Sequence, residues 1–242
     1  MKFFLAPMQG LTGYIVRNAF HHHFDYIDKY YTPFIPAAKR MNAKIKRDIA
    51  PVNNDGITLI PQAMSIVADE VIDLHRQLVP YGYDEINVNL GCPSGTVVSK
   101  KRGSGILAYP DMLDSFLDEL YTKADFPVSI KTRVGFNDDE LWPKLIEIYS
   151  KYPISELTVH PRVQKDFYKN TPRLDDFALA IQKINPDKTI LCYNGDITDT
   201  NSFNALTDRF PDIDEIMIGR GLFANPALIA ELKGISMDKA EL

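Results

Sequence analysis

Short apolar runs that are rich in β-branched residues recur along the whole chain, and stretches with helical spacing separate most of them. Runs of this kind are typical of strands that are buried on both faces of a parallel sheet. Within 68–79 the apolar residues fall on one side of a helix, and Asp111 and Asp199 stand where helices would begin. The runs, eight in all, cover residues 3–7, 25–31, 57–63, 84–90, 127–132, 156–160, 189–194 and 214–220.

Eight strands that alternate with helices in a chain of this length predict a (β/α)8 barrel, also called a TIM barrel. A doubly wound open sheet is the alternative, but eight regular units favour closure of the sheet. We therefore expect one α/β barrel domain over residues 1–233. The segment 32–56 is less regular than the rest, and we expect it to be mostly loop.

The composition narrows the class of protein. Of the 242 residues, 45% are hydrophobic and 24% are charged, as in ordinary globular proteins. No apolar stretch is long enough to span a membrane. Because Cys92 and Cys192 are the two cysteines, a disulfide framework is not expected, and a reducing cytoplasm is the predicted location. The consecutive His21, His22 and His23 would point in three directions on a helix, and no other set has metal-ligand spacing, so we predict no metal.

In a (β/α)8 barrel the active site lies at the carboxyl ends of the strands, and polar residues and glycines are concentrated at those positions here. The segments 194–196 and 219–221 lie at the carboxyl ends of the last two runs, where such barrels frequently bind phosphate, although each also fits an ordinary turn. Lys131 ends an apolar run, where its charge needs an anionic partner unless the side chain reaches solvent. His160 ends another run, and a lone histidine there is often a satisfied polar group.

The run at 84–90 leads into Gly91-Cys92-Pro93-Ser94-Gly95, which places one thiol on a loop at the predicted catalytic face. A thiol in such a place can be a nucleophile, a general acid or a residue without a role. No neighbouring histidine is visible in the sequence to activate it. Cys192 lies inside a run and is interpreted as a small buried apolar residue.

Six segments resemble the successive motifs of the tRNA-dihydrouridine synthases, which are FMN-dependent (β/α)8-barrel enzymes. They are LAPMQGLT, NVNLGCPS, SIKTR, TVHPR, CYNGDI and IGRGLFANP, in the family's order over residues 4 to about 230. The Asn-x-Gly-Cys-Pro element is the specific one, since the others occur more loosely among FMN barrels.

The resemblance implies a role for each matching residue. Cys92 corresponds to the proton donor, and Asn89 and Arg162 correspond to substrate-binding positions. The implied cofactor-binding residues are Pro7, Met8, Gln62, Lys131 and His160 for the flavin ring and ribityl chain, with Asn194, Gly195, Asp196, Gly219 and Arg220 for the phosphate.

The implied reaction is the reduction of uridines in tRNA to 5,6-dihydrouridine, with NADPH as the expected reductant of FMN. A hydride from N5 of FMN adds to C6 of uracil, and Cys92 gives a proton to C5. A thiol has an ordinary pKa near 8.5, so it is mostly protonated at neutral pH. The basic segments 39–47 and 100–102 are candidates for RNA contact despite the net charge of −5, and Tyr30, Tyr31 and Phe34 are candidates for base stacking.

The chain departs from the family pattern in two motifs and at its end. It has Thr12-Gly13 where the family usually has Thr-Asp, and His160-Pro161-Arg162-Val163 where the family usually has His-Gly-Arg-Thr. The family normally continues into a helical tRNA-binding domain, of which 234–242 is expected to be the start, truncated or otherwise absent.

Two alternatives stay open from the sequence. The first is an FMN barrel that acts on a free pyrimidine, as dihydroorotate dehydrogenase does, and the second is a non-catalytic RNA-binding barrel.

Overall fold

The computed structural model of the chain describes residues 1–24, 26–37 and 40–235, in which ten strands form one parallel sheet. The strands are β1 (Lys2–Leu5), β2 (Lys29–Tyr31), β3 (Ile35–Pro36), β4 (Leu59–Ile60), β5 (Gln62–Met64), β6 (Ile86–Leu90), β7 (Val128–Gly135), β8 (Glu156–Val163), β9 (Ile190–Tyr193) and β10 (Glu215–Ile218). All eight runs of the sequence therefore contain strands, although Asp25 at the start of the second run lies outside the described residues.

The sheet closes on itself through Pro61. The strand order is β3-β5-β6-β7-β8-β9-β10-β1-β2-β4, and β4 and β5 are two pieces of one extended segment. β4 pairs with β2 through Ile60 and Tyr31, and β5 pairs with β6 through Gln62 and Asn87. Proline has no N–H to donate to a sheet, which explains why the third run is split at this residue. The (β/α)8 barrel is confirmed, and the open sheet is wrong.

Neighbouring helices pack against one another outside the sheet. Both predicted helix starts are confirmed. Asp111 lies in the first turn of one helix, and Asp199 caps another by accepting the Ser202 N–H at 2.8 Å. The helices are α1 (Tyr14–His23), α2 (Ala43–Ile49), α3 (Ala68–Leu78), α4 (Gly95–Val98), α5 (Pro110–Lys123), α6 (Trp142–Ser150), α7 (Leu174–Lys183), α8 (Thr200–Arg209), α9 (Arg220–Ala224) and α10 (Leu228–Leu232).

The segment 32–56 contains β3 and α2, which together hold nine of its 25 residues, so the expectation of mostly loop missed α2. The sequence signal for α2 is weak because Ile45 and Ile49, four residues apart, are its two large apolar residues, and two positions are too few to establish a helical period. Asn42 starts the helix by accepting the Ile45 N–H at 3.0 Å.

The interior of the barrel is filled at the amino ends of the strands. A small apolar cluster that includes Phe4, Tyr31 and Cys192 lies there, and all three side chains are buried. Next to this cluster, the buried Glu156 carboxylate accepts hydrogen bonds from Lys29 Nζ at 2.6 Å and from the Tyr31 hydroxyl at 2.7 Å. These side chains leave the carboxyl ends of the strands as the place for the chemistry of a barrel enzyme.

After β10 the chain forms α9 and α10, and then Gly234 takes a positive φ of 69°. Residues 236–242 lie outside the described part, so the predicted start of a helical domain at 234–242 stays a prediction, as does the boundary of the barrel at residue 233. Among the described residues, no helix has both the length and the apolar character needed to cross a membrane.

Candidate active site

A cavity of about 550 Å³ opens at the carboxyl ends of the strands, a size typical of small-molecule sites. Residues from all eight strand positions around the barrel, on the strands or on the loops that follow them, contribute to its wall. Every residue predicted for the site lines this cavity except Arg162: Pro7, Met8, Gln62, Asn89, Cys92, Lys131, His160, Asn194, Gly195, Asp196, Gly219 and Arg220.

A chain of buried amide side chains runs across the barrel wall to Cys92. Asn89 Oδ1 accepts the backbone N–H of Cys92 at 2.8 Å, and Asn89 Nδ2 donates to Gln62 Oε1 at 2.7 Å. Gln62 Nε2 in turn donates to Asn87 Oδ1 at 2.8 Å, and Asn87 Nδ2 donates to Ser129 Oγ at 3.0 Å. Because each of these groups is buried and paired, the end of β6 is held in one arrangement.

Four further hydrogen bonds, donated by three residues, fix the loop that carries Cys92. Ser104 donates both its hydroxyl, at 2.8 Å, and its backbone N–H, at 3.1 Å, to the Cys92 carbonyl. Gly103 before it has a φ of 55°, and a Cβ there would lie 2.7 Å from the same carbonyl oxygen. On the other side, Arg133 Nε donates to the Gly91 carbonyl at 3.0 Å, and Gln164 Nε2 donates to the Pro93 carbonyl at 2.9 Å.

The environment of Cys92 favours the protonated thiol. Burial raises the pKa of this half-buried residue, and a hydrogen bond from the Ser94 backbone together with the charges of Arg133 and Lys131 offsets the rise only in part. The thiol is therefore a poor nucleophile at neutral pH and a group that can give up a proton.

Lys131 lies at the carboxyl end of a strand inside the cavity, as predicted. Its ammonium group donates to Asn194 Oδ1 at 2.5 Å, and Asn194 is held by its own bond to the Met217 carbonyl at 2.8 Å. Burial, together with the nearby charge of Arg133, lowers the pKa of Lys131 to about 7. Near neutral pH this amine can therefore gain or lose a proton when an anion enters or leaves the cavity.

His160 is uncharged in this site. Burial lowers its pKa well below the ordinary value, and four nearby cations, with Arg133 the most effective, act in the same direction. Its Nε2 lies 3.1 Å from Arg162 Nη1, and arginine can only donate, so Nε2 is the acceptor. The ring proton is thereby assigned to Nδ1, which makes His160 a neutral hydrogen-bond donor.

Arg162 is the predicted site residue that the structure does not bring to the cavity surface. Its side chain is 1% exposed, and its nitrogens donate to the Lys169 and Asn170 carbonyls and to the Asp196 carboxylate. In this arrangement Arg162 positions His160 and Asp196 rather than contacting a substrate itself.

The opposite end of the cavity carries a charged pair beside two glycines. Asp196 accepts from both Arg162 and Arg220, and Arg220 is half-exposed. Partial burial opposes ionisation of Asp196, but the two arginines outweigh it and hold the pKa of this carboxyl below its ordinary value. A Cβ at Gly195 would collide with the Tyr193 hydroxyl, and one at Gly219 would lie 3.3 Å from Ala6 Cβ. The backbone at both glycines therefore approaches neighbouring side chains more closely than a larger residue allows.

The loop 164–173 reaches over the cavity, and sequence reasoning missed it. Phe167 has a φ of 52° and Tyr168 is half-exposed, and both rings line the cavity. Arg133 donates to the Phe167 carbonyl at 2.7 Å and to the Val163 carbonyl at 2.9 Å. Arg133 was detectable in the sequence, because it lies two residues after Lys131 and so points to the same face of the strand.

The departure at Pro161 is accommodated by an irregularity in the sheet. β7 and β8 pair through Arg133 and His160 and then through Gly135 and Val163, which leaves one extra residue in β8. Prolines within sheets are found at such bulges, where no N–H is needed for pairing. The Pro161 carbonyl is used instead, as the acceptor of the Arg173 N–H at 2.7 Å.

The aromatic residues predicted to stack on bases do not behave alike. Tyr30 and Tyr31 are 1% and 0% exposed, so this prediction is wrong for both, because their strand turns them into the core. Phe34 lines the cavity.

The predicted basic segments lie mostly on the surface. Arg40, Lys44, Lys46, Arg47, Lys100 and Lys101 are exposed, Arg102 is paired with Glu70 at 3.1 Å, and Lys39 lies outside the described residues. Within those residues no group of three histidines, cysteines or acids is placed to hold a metal ion.

Comparison with known proteins shows the family of the chain. The family described as dihydrouridine synthase (Dus) matches residues 4–241. A probable tRNA-dihydrouridine synthase of Staphylococcus aureus is 28% identical over 231 residues, which cover 93% of this chain and 69% of that protein. The tRNA-dihydrouridine synthase B of Pasteurella multocida is 27% identical over 243 residues, or 97% of this chain and 69% of that protein.

The fold is also shared with more distant structures. A variant of NCR from Zymomonas mobilis has a TM-score of 0.65 and 12% identity, and the match covers 99% of this chain and 89% of that one. Because the family match spans nearly the whole chain, this chain belongs to the dihydrouridine synthase family and is an enzyme of that type.

The pKa of Lys131 leads to a prediction for the protein without bound cofactor. Lys131 titrates at about 7 in the folded state and near the ordinary 10.5 in the unfolded state, so between these values the unfolded chain binds more protons. The free energy of unfolding of the wild type minus that of Lys131→Met should therefore be lowest below pH 7. It should rise between pH 7 and 10.5 by at most about 1.4 kcal/mol per pH unit.

Urea unfolding of both proteins between pH 6 and 10 measures this difference. The exposed Lys144→Met variant is the control, and its difference from the wild type should stay constant over the same range. Parallel curves for the wild type and Lys131→Met would show that Lys131 titrates normally.

Proposed function

We propose that this chain reduces uridine in tRNA to 5,6-dihydrouridine, with FMN as the bound cofactor and NADPH as the source of electrons. Family membership supports the reaction. The observation that carries the proposal is a protonated, half-buried thiol at the end of β6 that shares one cavity with Lys131 and Arg220.

The residues of the cavity fit FMN at both ends. Gly195, Gly219 and the half-exposed Arg220 leave space and a cation for the phosphate, in the position where barrels of this kind bind phosphate. At the other end Gln62, Lys131 and His160 present hydrogen-bond donors and a buried amine that lacks an anionic partner. A flavin ring system is polar along one edge and apolar elsewhere, which matches this distribution.

Cys92 is the proposed proton donor. FMN, when bound and reduced, supplies the hydride that adds to C6 of uracil, because no side chain can. The remaining requirement is a proton for C5, and the burial that keeps Cys92 protonated meets it. The contacts of Asn89 and Ser104 with the Cys92 backbone fix the position from which the proton is delivered.

Lys131 and His160 have complementary electrostatic roles in this proposal. An anion within the cavity raises the pKa of Lys131 from about 7, so the amine becomes charged when negative charge develops near it. His160 remains neutral and donates from Nδ1, so it binds a polar group without adding a second positive charge. The sequence has no Gly-x-Gly-x-x-Gly fingerprint, and we place the NADPH nicotinamide in the same cavity rather than in a separate domain.

The tRNA contacts in this proposal are the exposed cations of α2 and of 100–101. These are Lys44, Lys46 and Arg47 on the helix after β3, and Lys100 and Lys101 after the Cys92 loop. The target base must leave the RNA stack to reach the cavity, and Phe34, Phe167 and Tyr168 offer rings at its wall. Binding through these cations should weaken as salt is raised. Both cysteines are free, which suits the reducing cytoplasm where tRNA is modified.

The first test is Cys92→Ala. The variant should fold, bind FMN and accept electrons from NADPH, but its rate of uridine reduction should fall by roughly 10²–10⁴-fold, since that is what a general acid contributes. Mass spectrometry of tRNA that initially lacks dihydrouridine measures the product.

Cys192→Ala is the matched control, because this thiol is buried among apolar residues inside the barrel, and its activity should stay close to that of the wild type. Unchanged uridine reduction by Cys92→Ala would exclude its role as the acid. Turnover of free uracil or dihydroorotate by the wild type, with none of tRNA, would favour the free-pyrimidine enzyme, and failure to bind FMN at all would favour the RNA-binding barrel.

The second test is Arg220→Ala. Loss of a charge-assisted contact to the phosphate should weaken FMN binding by about 1.5–3 kcal/mol, while riboflavin, which has no phosphate, should bind both proteins equally. Fluorescence titration with the two flavins measures the difference. Arg209→Ala is the control, because Arg209 also forms an ion pair with an aspartate, Asp175, but lies on α8. If Arg220→Ala retains the wild-type preference for FMN over riboflavin, the phosphate lies elsewhere.

A further inference from the structure

The start of α1 is capped by a residue from another helix. Gly13 is the N-cap residue and has no side chain, and the first turn of α1 contains no acid. The Asp48 carboxylate, on α2, fills this position instead, and its Oδ1 accepts the Tyr14 N–H at 2.7 Å. A Cβ at Gly13 would lie 3.2 Å from the same oxygen, so the carboxylate occupies the space that a capping side chain of α1 would use.

The second oxygen of the same carboxylate binds a buried arginine. Arg17 is fully buried, and its Nη1 lies 3.2 Å from Asp48 Oδ2 and donates to the Thr12 carbonyl at 2.8 Å. Its Nη2 donates to the Asp48 backbone carbonyl at 2.7 Å, and Nε and Nη2 both donate to Asn54 Oδ1. A buried guanidinium without its anion is costly, so Asp48 determines whether Arg17 can stay in this place.

Arg17 holds the turn that leads into the cavity. Thr12, whose carbonyl Arg17 binds, closes the turn from Met8 by accepting the Met8 N–H at its hydroxyl, at 2.9 Å. The backbone N–H groups of Leu11 and Thr12 both donate to the Met8 carbonyl at 3.1 Å. Met8 itself lines the cavity. A continuous set of contacts thus joins Asp48 on α2 to a residue of the cavity wall.

We propose that Asp48 is a positioning residue that sets the Met8–Thr12 turn against the bound cofactor and links it to α2. The proposal rests on the proposed function for the identity of the cofactor. The outward side of α2 presents Lys44, Lys46 and Arg47 to solvent, while Asp48 points inward. The helix that offers cations to the RNA therefore also fixes part of the cofactor site. The position of the docked RNA relative to the cofactor is set through this one helix.

The experiment compares Asp48→Ala with the same variant carrying Gly13→Asp. The backbone of Gly13 has φ −70° and ψ 172°, which any residue adopts, so the second substitution returns a carboxylate to α1 without strain. Asp48→Ala should shift the visible absorption of bound FMN and lower kcat on tRNA at saturating FMN by about tenfold, since a small displacement of a site residue by a remote substitution costs up to about 10²-fold in rate. Gly13→Asp should restore both toward the wild type.

Two further variants keep the test decisive. Asp55→Ala removes an exposed acid seven residues away and should leave both readouts unchanged. Asp48→Asn, which keeps an acceptor for Tyr14, should show the same changes as Asp48→Ala to a smaller degree, and it replaces that variant if the alanine protein does not fold.

A purely structural residue would lower the melting temperature but leave the flavin spectrum and kcat as they are, and that result for either Asp48 variant overturns the proposal. Failure of Gly13→Asp to restore the flavin spectrum overturns it as well. The spectrum needs no RNA, so it tests the role of Asp48 even if the wild type leaves tRNA unmodified, which would contradict the proposed function alone.

Discussion

The site depends on one hydrogen bond, from the backbone N–H of Cys92 to Asn89 Oδ1. Asn89 belongs to a barrel strand, and its amide is fixed by Gln62 on the neighbouring strand. A loop residue is thereby attached to the most rigid part of the fold, and the thiol takes its position from the register of β5 and β6. Loss of the Asn89 acceptor would leave a partly buried N–H without a partner, which is costly enough to move the loop.

Burial sets the protonation of Cys92, His160 and Lys131 in the inner part of the cavity. It raises the pKa of Cys92, lowers that of His160 well below its ordinary value and lowers that of Lys131 to about 7. The inner cavity therefore contains proton donors beside one cation, Arg133, which stays charged at neutral pH because its pKa falls only to about 10. At the other end Arg220 is half-exposed and already paired with Asp196, so charge there costs less to maintain. This division suits a ligand with an anionic tail and a less charged ring system.

The sequence predicted most of the fold and most of the cavity wall, because strand ends of a barrel must meet at one face. It placed Cys92, Lys131 and Asn194 together on that basis. It failed where the direction of a side chain depends on tertiary packing. Tyr31 points into the core, and Arg162 binds backbone carbonyls and the Asp196 carboxylate instead of facing the cavity. Asp48 was beyond sequence reasoning, since nothing local indicates that an acid of α2 caps a different helix. That contact also explains how the chain tolerates Gly13 in place of the aspartate usual in the family.

The central claim is that the Cys92 thiol is a general acid and not a nucleophile. The pH dependence of its alkylation by iodoacetamide, in flavin-loaded protein and read by mass spectrometry of the peptide, tests this claim most directly. Cys192, buried inside the barrel, is an internal reference that should stay unmodified until the protein unfolds. The account predicts slow alkylation of Cys92 at neutral pH, with a midpoint above the ordinary pKa of a thiol. Rapid alkylation at pH 7, with a midpoint below that value, would show a thiolate and contradict the account.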